Sequence, residues 1–111
     1  MNTTALITKY ESLTSGDYSL ELVDNETLLT KQTVSLGRSA NSFGLDFNAS
    51  KHWLYVTDYI NDSVSVFDMG TAQKLKTITV GPQPKAVAVD QTTGTAYVLN
   101  SGDASISVIA Q

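Results

Sequence analysis

The feature that most restricts what this chain can fold into is a repeat of 42 residues. Tyr97-Val98 falls 42 positions after Tyr55-Val56, and Ile106-Ser107-Val108-Ile109 falls 42 after Val64-Ser65-Val66-Phe67. Two separate segments keep one period, so the spacing between them is equal in both copies. A third, more diverged copy lies upstream. Leu20-Glu21-Leu22-Val23-Asp24 matches Val64 to Asp68 at a shift of 44, and Gly44-Leu45-Asp46-Phe47 matches Ala86-Val87-Ala88-Val89 at 42. The shift changes between Gly37 and Gly44, which places two extra residues in a connection, where insertions are tolerated. A fixed period in this range marks units that bury their apolar faces by stacking on one another.

Each copy contains four short apolar runs, seen most clearly as WLYVTD, SVSVFD, KLKTITVG and AVAVD. They are rich in Val, Ile, Thr and aromatics, and turn signals bound them: Asn61-Asp62, Met69-Gly70, Gly81-Pro82 and Thr93-Gly94. The chain holds 12 Ser and 14 Thr but only 16% charged residues. Thr is β-branched, and Ser competes with the helix for backbone hydrogen bonds, so this composition favours strands and turns. No stretch sustains a period of 3.6 for three turns. The expectation is an all-β chain of antiparallel meanders.

The segment LYVTDYINDSVSVFDMGTAQKLKTITVGPQPKAVAVDQTTGTAYVLN resembles the YVTN family of repeats. It shows LYVT followed by Asp58, then VSVFD, a turn, VG-x-x-P and an alternating strand of small residues. Asp58 stands where that family usually has Asn, and Asn100 restores it in the next copy. The likeness is strong over residues 53–111 and looser over 4–52. It implies a partial β-propeller of about two and a half four-stranded antiparallel blades: a diverged partial blade at 4–43, a complete one at 44–81 and a partial one at 82–111. The first blade would start at its second strand and the last would stop at its third. AVAVD would be the innermost strand, with Ala86 and Ala88 forming a small, tightly packed face. KLKTITV would be outermost, with Lys74 and Lys76 in water. Ten strands alone would leave faces open. Two expectations follow: more blades in a longer polypeptide, or several copies closing a ring.

The net charge of -4 favours solubility and speaks against nucleic acid, which calls for a basic stripe. With no cysteine there is no disulfide framework, thiol nucleophile or thiolate metal site. No apolar run reaches the roughly 20 residues of a membrane span, and the first ten residues lack the pattern of a signal peptide. His52 is the single histidine and sits in the turn Ala49-Ser50-Lys51-His52, so a Ser–His–Asp set or a multi-histidine metal site would need a second chain.

Candidate ligand-binding residues are Arg38, Asn41, Asp46, Tyr59, Asp62 and Asp103. All but Asp46 fall in connections that a meander would gather on one face, together with Pro82 to Lys85. Asp58, Asp62 and Asp103 can offer oxygen ligands to a hard cation, but turn chemistry, with carboxylates accepting from nearby backbone N–H groups, accounts for them more simply. Asp46 aligns with Ala88, so its carboxylate should meet either a wet central channel or a partner such as Arg38. Trp53 and Tyr55 alternate within a strand and read as packing, which leaves Tyr59 as the better binding aromatic. No catalytic residue, metal or cofactor is assigned.

The resemblance implies a non-catalytic surface or secreted scaffold for protein or glycan, extracellular, at the cell surface or periplasmic. The alternatives are a fragment of a propeller enzyme, lactonase-like or bearing a redox cofactor, and a ring-forming oligomeric lectin. The lectin reading suffers from Ser101, which stands where an aromatic counterpart of Tyr59 should be.

Overall fold

A computed structural model describes residues 44–71 and 73–110 with their side chains, and the backbone of residues 3–8, 18–24 and 30–37. The described residues form ten strands in three antiparallel sheets and no helix. Residues 1–40 and 41–111 are separate compact units.

The first unit holds β1 (Thr3–Thr8), β2 (Tyr18–Asp24) and β3 (Thr30–Gly37) in the order β1-β2-β3. Leu6 pairs with Glu21 and Ala5 with Leu22. The second unit holds two sheets. The middle sheet is β4 (Leu45–Asn48), β5 (Trp53–Asp58), β6 (Ser63–Asp68) and β7 (Lys74–Thr79), hydrogen-bonded in chain order. The last sheet is β8 (Pro84–Val89), β9 (Ala96–Asn100) and β10 (Ser105–Ile109), also in chain order.

Alternation along these strands sends successive side chains to opposite faces. Tyr55, Val64 and Val66 of the middle sheet pack against Val87, Ala96 and Val98 of the last sheet in one buried cluster, flanked by Trp53, Ile78, Val80, Val89 and Ile109. Burial raises the pKa of the Tyr55 phenol. On the other face of the middle sheet, Leu54, Val56 and Phe67 are buried too. The middle sheet is therefore apolar on both sides. Lys76 and Lys51 place their ammonium groups 4.9 and 5.6 Å from the Trp53 ring centre, covering its edge of the core with cation–π contacts.

The two sheets of this unit approach most closely at β4 and β8. A Cβ added to Gly44 would sit 2.8 Å from the carbonyl oxygen of Lys85, a backbone atom that cannot swing away. Gly44 also exchanges bonds with Thr57: the Thr57 N–H donates to the Gly44 carbonyl, and the Gly44 N–H donates to Thr57 Oγ1, both at 3.0 Å.

The turns repeat with the same period as the strands. His52 (φ 58°) and Gly94 (φ 79°) lie 42 positions apart in equivalent turns, as do Asp62 (φ 51°) and Ala104 (φ 57°). All four occupy the left-handed region. Glycine enters it freely, Asp and His at modest cost, and Ala at more. The single histidine thus serves as a turn residue.

One expectation is corrected. Ala86 and Ala88 do not form a tightly packed inner layer; both are exposed, and Val87 on the opposite face is buried instead. Small residues were expected where adjacent sheets converge. The face carrying Ala86 and Ala88 has no sheet against it among the described residues.

Candidate functional site

At one end of the second unit, three connections meet. The β5–β6 turn brings Tyr59, Ile60 and Asp62; the β7–β8 link brings Pro82 and Gln83; the β9–β10 turn brings Gly102. Together they line an open cleft of about 470 Å³. Its floor is fixed by hydrogen bonds. Asp62 Oδ1 accepts from the Gln83 N–H at 3.0 Å, joining residues from neighbouring sheets. The Gln83 carbonyl accepts from the Ser101 N–H and from Ser101 Oγ, each at 2.9 Å. The Gly102 N–H donates to the Pro82 carbonyl at 3.0 Å. Gln83, between two prolines, is held at φ 55°, a left-handed backbone for a residue with a side chain. Local strain of this kind persists where the surroundings over-determine it, and here three hydrogen bonds pin the residue.

Two of the candidate residues, Tyr59 and Asp62, thus come together in the cleft. Asp103 is next to Gly102 in sequence, but its carboxylate turns back on its own loop, accepting from the Ser105 N–H at 3.1 Å and from Ser105 Oγ. Asp58 behaves alike, accepting from the Asn61 N–H at 3.2 Å and the Asn61 amide at 2.9 Å. These are Asx turns, which use the oxygens that a cation would need. Among the described residues no group of three His, Asp or Glu side chains is placed to hold a metal ion. Arg38 and Asn41 lie outside the described residues.

Asp46 stands apart from the cleft, midway along β4. Its Oδ2 accepts from the Val89 N–H at 2.8 Å and its Oδ1 from the adjacent Phe47 N–H at 2.8 Å. The partner of the carboxylate is the backbone of the neighbouring sheet's first strand. A sequence gives no sign of such a partner, because every residue but proline supplies an N–H. Gln91 makes a third cross-sheet link, donating from Nε2 to the Phe47 carbonyl at 2.6 Å and accepting the Ala49 N–H at 3.0 Å.

Asp46 and Asp62 are therefore struts between the middle and last sheets. The repeat places Ala88 and Ala104 at their equivalent positions in the last sheet. Ile60, Gln83 and Gly102 were not singled out from the sequence. No sequence signal marks Gln83, because a residue before proline is biased toward extended backbone and not toward the left-handed region that it occupies.

The strand order, the two sheets packed face on face in the second unit and the period of 42 residues define a segment of a β-propeller. Solved structures agree. The chain is similar to Kuenenia stuttgartiensis hydrazine synthase, with 27% identity and a TM-score of 0.74 over 86% of this chain and 30% of that one. It is similar to a chain of the nidogen/laminin complex, with 19% identity and a TM-score of 0.70 over 97% of this chain and 40% of that one. A third likeness is to U3-55K, with 19% identity and a TM-score of 0.57 over 89% of this chain and 35% of that one. The chain thus spans well under half the length of each. No family model matches the sequence, and no curated protein matches it. The chain is a partial β-propeller of about two and a half four-stranded antiparallel blades. Among the described residues no helix is long and apolar enough to cross a membrane.

Proposed function

We propose that this propeller segment is of the YVTN type and works as a non-catalytic surface or secreted scaffold, binding a protein or glycan partner at its cleft. The observation that carries this reading is the cleft itself, where Tyr59 and the exposed Ile60 stand beside a backbone locked by Asp62 and Gln83. Apolar and aromatic side chains on a rigid rim lose little entropy when a partner arrives. An exposed isoleucine favours a protein segment over a sugar, whose hydroxyls need polar partners. The nidogen/laminin structure is, by its name, a complex between proteins.

The test is titration of isotope-labelled chain with short apolar peptides and, separately, with neutral oligosaccharides. Shifts grouped at Tyr59, Ile60, Gln83 and Gly102, and abolished by Tyr59→Ala, support the reading. Shifts elsewhere, or indifferent to that variant, sink it.

A second reading, a fragment of a propeller enzyme, draws on the likeness to hydrazine synthase at 27% identity. It calls for residues converging from further blades. Turnover of a lactone, or a bound redox chromophore, in a longer polypeptide containing this sequence would move the reading there.

A further inference from the structure

We propose that the cleft, on the reading that it is a partner site, receives a basic side chain, lysine or arginine, from an extended protein segment. Its lining is Tyr59, Ile60, Asp62, Pro82, Gln83 and Gly102. None of these is basic, and one is a carboxylate. Asp62 is exposed. Its Oδ1 holds the Gln83 N–H at 3.0 Å, while its Oδ2 meets no donor among the described residues. One oxygen thus fixes the rim, and the other brings negative charge to the cleft.

The acids on either side are placed differently. Asp58 uses both oxygens on Asn61, and Asp103 turns Oδ1 onto Ser105. They stand next to Tyr59 and Gly102 in the chain and add two formal negative charges around the cleft, but neither lines it. A hard metal ion takes about six to eight oxygen ligands, and a single unbonded carboxylate oxygen in the lining does not supply them.

Lysine and arginine are apolar along the stem and charged at the tip. The lining suits both parts. Ile60, 55% exposed, and the half-buried Pro82 offer apolar surface to the stem. The ring of Tyr59 attracts a cation over its face, and Asp62 Oδ2 can accept from the cation's N–H groups. An acidic side chain meets repulsion there. A neutral apolar one displaces water from Asp62 Oδ2 and gives it no donor, which costs free energy. The chain's net charge of -4 also draws a basic partner in from a distance, an attraction that salt screens.

The test is titration of isotope-labelled chain with four short peptides that share one apolar frame and carry arginine, lysine, citrulline or glutamate at the centre. Citrulline keeps the shape of arginine and lacks its charge. The expected result is shifts at Tyr59, Ile60, Gln83 and Gly102, with arginine and lysine bound about tenfold more tightly than citrulline and glutamate weakest of all. Added salt should narrow the gap between arginine and citrulline. Asp62→Asn, with the gap read as a ratio within the variant, should close most of it. Asparagine keeps an oxygen for the Gln83 N–H and tolerates the left-handed backbone at φ 51°, so the rim stays in place. Asp68→Asn removes an equal charge at the far end of β6 and should leave the gap as it is. Citrulline bound as tightly as arginine overturns the proposal while leaving the cleft a partner site. So does a gap that Asp62→Asn leaves intact, or one that Asp68→Asn closes equally. An absence of shifts at the cleft with all four peptides overturns both.

Discussion

The middle and last sheets are two versions of one sequence unit in two environments. Tyr55 is buried and Tyr97 is nearly half exposed; Val64 and Val66 are sealed, and Ile106 and Val108 face outward. The residue types barely differ, and two of the exposed side chains are as apolar as their buried counterparts or more so. Burial here is not a property of the residue or of its strand. It comes from whether another sheet lies against that face. The periodicity of a strand tells which residues share a face, and only the assembly tells which faces are dry.

Mutations at equivalent positions would break this comparison most directly. Tyr55→Ala should cost about 3–5 kcal/mol in urea unfolding, as for other large aromatic truncations in cores, and Tyr97→Ala less than about 1 kcal/mol. Equal costs would mean that the last sheet is covered within a single chain. The next largest effect is at the joint itself. Gly44→Ala drives a methyl group against the Lys85 carbonyl and should cost about 1–3 kcal/mol, while Ala86→Val, its open equivalent, should change little.

The equivalent turns give a smaller and opposite effect. Ala104 holds a left-handed backbone at φ 57°, so Ala104→Gly should raise stability by up to about 1 kcal/mol. Gly94→Ala should lower it by a similar amount, measured in the same denaturant series.

Much of the fold was legible from residues alone. WLYVTD and SVSVFD coincide with β5 and β6, because β-branched and aromatic runs end there at Asn-Asp and Met-Gly turns. The place of Tyr55 in the core was legible from alternation. Ala86 and Ala88 misled, because small size at an inner strand is only informative where a neighbouring sheet is present. Asp46 stood out in the sequence, but the Val89 N–H that it accepts from did not, since a backbone N–H is invisible in a sequence. The cleft was half legible. Tyr59 and Asp62 lie in a recognisable turn, but what places Gln83 opposite them is a backbone angle that no composition reveals.

The smallest expected effect concerns acid. The N–H groups of Thr71 and Gly70 hold the Asp68 carboxyl below its usual pKa. Its folded value is depressed, so its contribution is present above the ordinary carboxylate pKa of about 3.9 and is lost as pH falls through the lower folded value. Asp68→Asn should flatten the pH dependence of the melting temperature slightly in that range and leave neutral pH unaffected.

The carboxylates of Asp46 and Asp62 and the amide of Gln91 stitch one seam of the molecule at its middle and near both of its ends. A pulling force applied across that seam must shear several bonds together before it yields.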